Sequence, residues 1–293
     1  MPIGKLISIG GNEFKYKNED EMESVSRLDK AFFDLHILER FVSESGGIDA
    51  HIEVITTASS IPLEIGESYR HAFTKIGCTN IHFMHIRDRE DAQKDEYIQR
   101  LKSAQGIMFS GGNQYRLTTT FGGTDFLTLV KSRYQNEGLI IAGTSAGAMA
   151  MSNTMIYQGS SQKALLKGEV KITTGFGLLY DVIIDSHFIT RGRFGRLAQA
   201  VASNPSCIGI GLGEDTGILV TEGDNFEIIG SGLVLIFDGH YIKHNNISDL
   251  PEGVPISIEH LVVHALAKGD KYTLSTRKFE AAIYVHADIP EEE

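Results

Sequence analysis

The sequence predicts an α/β protein: a mostly parallel sheet with helices on both faces, followed by a β-rich C-terminal third. Three observations predict it. Short apolar runs alternate with helix-period segments along the first half of the chain. Glycine-rich turns close three of those runs, at 10–11, 111–112 and 143–147. After about residue 215 the helical periodicity gives way to short β-like runs separated by Gly-Asp and Gly-Ser-Gly. Alternation of the first kind means βαβ units, and the closely spaced runs read as antiparallel hairpins.

Lys5 to Ile9 is a first strand that ends at Gly10-Gly11, and the acidic stretch Asn12 to Glu23 reads as a surface loop. Residues 26–43 space Leu28, Phe32, Phe33, Leu35, Leu38 and Phe41 close to the helical period, and Gly46-Gly47 ends that helix. His51 to Thr56 is a strand, 62–76 a helix, Ile81 to Ile86 a strand and Asp91 to Ser103 a helix. Gly106 to Phe109 is a strand, a helix runs near 114–135, and Leu139 to Ala142 is a fifth strand. Val182 to Ser186 and Ile208 to Gly213 are further apolar runs. Gly217 to Val220, Phe226 to Ile229 and Leu233 to Phe237 are the hairpin strands, with more at 259–266 and 270–275. In sheets of this type ligands bind at the carboxyl ends of the strands, so the glycine turns point the active site to one edge of one sheet. No linker or repeat interrupts residues 1–293, which read as a single domain with a solvated Glu291-Glu292-Glu293 tail.

Composition excludes several classes. The 293 residues are 42% hydrophobic and 22% charged, which excludes disorder, collagen and coiled coil. A net charge of −11 argues against nucleic acid as the main partner. Cys78 and Cys207 form no CxxC pair, as expected in a reducing compartment. The opening MPIGKLISIGG lacks the apolar run of a signal peptide, and no stretch approaches the roughly 18 apolar residues of a membrane span. A cytoplasmic enzyme is expected.

The most informative segment is Leu139 to Ala148, in which Gly143-Thr144-Ser145-Ala146-Gly147 has the G-x-S-x-G pattern between a strand and a helix. This is a nucleophile elbow, whose glycines keep side chains out of a sharp turn. The N–H of Ala146 opens the following helix and is a natural oxyanion donor. A serine hydroxyl needs a base, and the base an orienting acid. Among eleven histidines, His187 alone follows an apolar strand, Val182 to Ser186, at its carboxyl end. Glu214 follows another apolar, glycine-rich run and is the candidate acid. Arg191, Arg193 and Arg196 crowd into six residues of an acidic protein, as a carboxylate pocket would require.

These residues together resemble the cyanophycinase family of serine peptidases (peptidase family S51), whose relatives are the aspartyl dipeptidases called peptidase E. The resemblance rests on Gly111-Gly112-Asn113-Gln114, on Gly143 to Ala148, on Asp185 to His187 with Arg191, Arg193 and Arg196, and on Gly213-Glu214-Asp215-Thr216. It implies a fold like the class I glutamine amidotransferases, with a flavodoxin-like sheet. It also implies Ser145 as nucleophile, His187 as general base and Glu214 as third member, with Gly112 and Ala146 forming the oxyanion hole. Gln114, Asp185, Arg191, Arg193 and Arg196 would line the substrate pocket, the arginines facing carboxylates and Asp185 with Gln114 facing a guanidinium. The implied substrate is cyanophycin, a poly-aspartate with arginine on each β-carboxyl, released as β-Asp-Arg dipeptides by a homodimer that needs no metal or cofactor. Ser186 stands where the family usually has glutamine, at a pocket position beside the base.

Other readings make distinct expectations. A peptidase E-like enzyme would cleave short aspartyl or isoaspartyl peptides, and a non-catalytic relative would bind ligand without turnover. A Ser145–Asp215–His264 set would follow the α/β-hydrolase order, which the hairpins after residue 215 disfavour. His260 and His264 have metal-pair spacing, but Leu261 stands where H-E-x-x-H needs glutamate. Gly10-Gly11-Asn12 does not match the dinucleotide-binding G-x-G-x-x-G.

Overall fold

Residues 1–11 and 36–283 are described by a computed structural model. The helix expected over 26–43 is therefore seen as α1 (His36–Glu44), while the acidic stretch 12–23 and the tail 291–293 lie outside the described residues. Five strands build the parallel half of a nine-stranded sheet: β1 (Lys5–Ile9), β2 (Ile52–Ile55), β3 (Ile81–Met84), β4 (Gly106–Phe109) and β5 (Ile140–Thr144). Their order is β1-β5-β4-β2-β3, each pair parallel. All residues of β2, β4 and β5 are buried, as a sheet covered on both faces requires.

The covering helices are α1, α2 (Pro62–Ile76), α3 (Asp95–Ser103), α4 (Gln114–Phe121) and α5 (Asp125–Asn136). Proline at the first turn and a left-handed Gly77 bound α2 where the sequence places it. The helix expected near 114–135 breaks in two, because Gly122-Gly123 closes α4 and the Thr124 hydroxyl caps α5 at the Leu127 amide. The helix expected from Asp91 is a short 3-10 turn over Asp91–Gln93, ended by an extended Lys94, before α3 begins. Alternate strand residues face two cores. Leu6, Ile107, Phe109 and Ile141 pack with α3, α4 and α5, and Ile7, Met108, Ile140 and Ala142 with α1 and α2.

Beyond β5 the chain makes α6 (Ala146–Met151), the hairpin β6 (Thr154–Gln158) and β7 (Lys171–Thr174), then β8 (Val182–Asp185), α7 (Phe194–Ser203) and β9 (Ile208–Leu212). It continues as β10 (Thr216–Thr221), β11 (Asn225–Gly230), β12 (Val234–Asp238), β13 (His244–Asn245), β14 (Ile258–Glu259), β15 (Val262–Leu266), β16 (Lys271–Thr273) and β17 (Lys278–Glu280). β10, β11, β16 and β17 extend the main sheet antiparallel from β1. The remaining long strands form a second sheet in the order β15-β12-β9-β8, in which β8 and β9 are parallel. This second sheet corrects the expectation of a site on one sheet, since the site draws its groups from both.

Candidate active site

Ser145 occupies the turn between β5 and α6 with φ 49° and ψ −104°, a conformation that side chains rarely adopt. The turn is so tight that a Cβ on Gly147 would stand 2.4 Å from the Phe109 carbonyl oxygen. This strain holds the hydroxyl out at the sheet edge. His187 follows β8 and Glu214 follows β9, both in the second sheet. His187 Nε2 lies 3.0 Å from Ser145 Oγ, and His187 Nδ1 lies 2.6 Å from Glu214 Oε1. An ionised carboxylate at Nδ1 fixes the ring so that Nδ1–H donates to Glu214 and the Nε2 lone pair faces the serine proton. Ser186 Oγ is also near, but at 3.4 Å it is a poorer partner for Ser145 than the imidazole.

Three consecutive carbonyls at the end of β1 hold these groups together. Ile9 O accepts from Ser145 N at 2.8 Å, Gly10 O from His187 N at 2.8 Å, and Gly11 O from Asp215 N at 2.9 Å. The Gly10-Gly11 turn thus ties the elbow, the base and the neighbour of the acid to one short stretch of backbone. Gly11, at φ 111°, lies against the imidazole, and a Cβ there would stand 2.3 Å from His187 Cε1. Gly11→Ala is expected to push the ring off Ser145 and lower kcat about a hundred-fold with little change in KM, as steady-state assays would read. A wild-type kcat in a folded Gly11→Ala protein would show that the ring is not set by this contact.

The Gly111-Gly112 turn after β4 abuts the elbow, since a Cβ on Gly111 would be 3.5 Å from Ser145 Cβ. Gly112 has φ 143°, and a Cβ there would strike the Ala58 carbonyl. The first amide of α6, Ala146 N–H, has no acceptor within its own helix. Amides at these two positions can serve an oxyanion that forms beside Ser145.

The pocket residues are arranged differently from their expected roles. Asp185 is fully buried, and its two oxygens accept from Arg196, with Nε at 2.8 Å and Nη2 closer still, and from Arg193 Nη1 at 3.0 Å. Arg196 sits on α7, itself buried, and also donates to Gly159 O. Asp185 and Arg196 therefore neutralise each other rather than standing open to a guanidinium and a carboxylate. Arg193 adds a 2.7 Å bond to Ser186 O, which braces the residue before the base. Burial pulls the Arg193 pKa below the usual guanidinium range, and Asp185 opposes that shift. Arg191 is exposed. Gln114 Nε2 donates to the Ile156 and Tyr157 carbonyls of β6.

Thr190 was not anticipated. Its hydroxyl lies 3.0 Å from Glu214 Oε1 and 3.2 Å from His187 O, linking acid and base, and only its place between His187 and Arg191 hints at this. The rival set is not assembled. His264 lies on β15 against Tyr272, and Asp215 accepts from Ser231 Oγ at 2.6 Å. Among the described residues no group of three or more His, Cys, Asp or Glu is placed to hold a metal ion.

The family model of peptidase family S51 matches residues 24–229. The chain belongs to peptidase family S51. Like the other members it is a serine-type peptidase, a hydrolase. A cyanophycinase of Synechococcus elongatus is 33% identical over 277 residues, 94% of this chain and 81% of the relative. A cyanophycinase of Trichormus variabilis is 33% identical over 248 residues, 85% of this chain and 83% of its own. Among solved structures, a peptidase from an acI-B1 actinobacterium is 23% identical and superposes with a TM-score of 0.65 over 93% of this chain and 98% of its own. That likeness bears on the fold and matches the α/β architecture above. No helix among the described residues is long and apolar enough to cross a membrane.

Proposed function

We propose that this S51 peptidase hydrolyses cyanophycin to β-Asp-Arg dipeptides, with Ser145, His187 and Glu214 as its catalytic triad. The observation that carries the reading is the unbroken hydrogen-bonded chain from Glu214 through His187 to Ser145. The relatives named cyanophycinase supply the substrate class. Ser145 Oγ attacks a backbone carbonyl of the aspartyl polymer while His187 Nε2 takes its proton. Glu214 keeps the imidazolium oriented and compensated. The Gly112 and Ala146 amides hold the oxyanion, each worth about 3–4 kcal/mol in a comparable protease. His187 then protonates the leaving amine, and water, activated by the same imidazole, cleaves the acyl-enzyme. The steps need no metal or cofactor. Ser186 and the arginine cluster border the acyl group in this reading, Arg191 offers an exposed cation to a substrate carboxylate, and Arg193 with Arg196 acts mainly by bracing the pocket wall. The protein acts as one domain over 1–293, as a homodimer in the cytoplasm.

The test is turbidity clearing of an arginine-cyanophycin suspension with mass identification of the product. Wild-type protein is expected to clear it and release β-Asp-Arg, and light scattering to give the mass of a dimer. An intact polymer with turnover of short aspartyl peptides would move the substrate to the peptidase E class. Neither turnover nor labelling by a serine-reactive probe would make the protein a ligand-binding relative.

A further inference from the structure

Two stacked aromatic rings, one exposed and one half-buried against the core, take no part in the triad or the oxyanion turn. Tyr115 follows Gln114 in the first turn of α4, just beyond Gly112, and is 47% exposed. Its ring stacks on Tyr157 of β6, with centroids 5.1 Å apart and planes 29° apart. Gln114 Nε2 donates to Ile156 O at 3.0 Å and Tyr157 O at 3.4 Å, so the start of α4 and the strand carrying Tyr157 are tied together. Those bonds use the amide nitrogen and leave Oε1 as the acceptor end of Gln114. Just past the end of that strand, Gly159 O accepts from Arg196, which holds Asp185 two residues before the base. The stacked rings thus sit on segments tied to the oxyanion turn through Gln114 and to the buried Asp185–Arg196 pair through Gly159.

We propose that the Tyr115–Tyr157 stack is a guanidinium subsite of this enzyme. The inference rests on the arginine-bearing substrate proposed above. That substrate presents a planar cation at every unit, and Asp185, the acid beside the base, is already bound by two arginines. Another group must then recognise the cation. A guanidinium stacks on an aromatic face more readily than an ammonium does, and about half of Tyr115 is exposed. Gln114 Oε1 accepts a guanidinium N–H at the edge of the stack. The net charge of −11 adds a field that favours a cationic group.

The test is calorimetric binding of β-Asp-Arg and its uncharged isostere β-Asp-citrulline to the Ser145→Ala protein, with clearing assays on the active enzyme. The arginine form is expected to bind about five-fold more tightly than the isostere. Tyr115→Leu is expected to bring that ratio close to one, and Tyr115→Phe to keep it. In the active enzyme Tyr115→Leu is expected to raise KM for the polymer with kcat unchanged. An unchanged ratio in Tyr115→Leu, or failure of β-Asp-Arg to bind, overturns the subsite. A retained guanidinium preference in a protein that leaves the polymer intact overturns the cyanophycin reading and supports the subsite.

Discussion

Ser145→Ala is expected to lower kcat about a million-fold, with the thermal unfolding midpoint unchanged. The size follows from how the triad works. The alanine protein retains the oxyanion amides and the binding surface, which in comparable enzymes leave a residual of about 10³–10⁴ over water. Glu214→Gln keeps the shape of the acid but no longer compensates the imidazolium. It also lets the ring take the wrong tautomer, so a loss of about 10⁴ in kcat is expected. The two changes together are expected to cost no more than Ser145→Ala alone, because the groups act as a unit. His187→Ala should match the serine variant, whereas His264→Ala should stay near wild type, since His264 lies on β15 against Tyr272. Hydrolysis of the polymer, followed by product mass, decides each case. A Ser145→Ala protein that still turns over well above the residual would remove the serine from the chemistry. Full loss in His264→Ala would move the base there.

Much of this was legible in the sequence, and the rest was hidden for physical reasons. The βαβ alternation is a local signal, so the strands from Lys5 to Thr144 and the boundaries of α2 were readable. The elbow was readable because G-x-S-x-G is contiguous. The triad is not contiguous: the base lies 42 residues from the serine and the acid 27 from the base. Both are legible as polar residues that end apolar strands. That signal cannot say which sheet a strand joins, since β8 and β9 look alike in either, and so the second sheet was missed. The β6–β7 hairpin was missed because its strands are short and half exposed. α7 was missed because Arg196 and Gln199 are buried polar residues within its apolar face. The single helix expected near 114–135 is two because Gly122-Gly123 interrupts it, a local signal that the helical spacing on either side masks. Pocket roles were least legible. An arginine and an aspartate in sequence look the same whether they face a substrate or each other, and only burial distinguishes the two.

That distinction leads to the largest expected effect on stability, Asp185→Ala. Arg196 is 6% exposed and Asp185 fully buried, so removing the carboxylate leaves a guanidinium in low dielectric with no counter-charge. Breaking one side of a buried pair costs about 3–5 kcal/mol. The cavity is the lesser term, since Asp→Ala removes fewer atoms than the Leu→Ala changes that cost about 2.7–5.0 kcal/mol. At about 2–4 °C per kcal/mol for a chain approaching this size, the unfolding midpoint should fall by about 6–20 °C. Asp185→Leu combined with Arg196→Met replaces both charges by apolar groups and is expected to recover most of the loss, because desolvating a buried pair offsets much of its attraction. Activity is expected to behave differently. Asp185 Oδ1 accepts from Ser186 N at 2.9 Å, and Arg193 bridges Asp185 to Ser186 O. The apolar pair removes the first bond and frees Arg193, so the segment carrying His187 loses its brace. The double variant should therefore melt near wild type yet lose kcat, which denaturation curves and steady-state assays on one preparation would separate. If Asp185→Ala is equally destabilising with Arg196→Met already in place, the charge orphaned on Arg196 is not the cause and the carboxylate is needed for its bonds to Arg193 and the Ser186 amide.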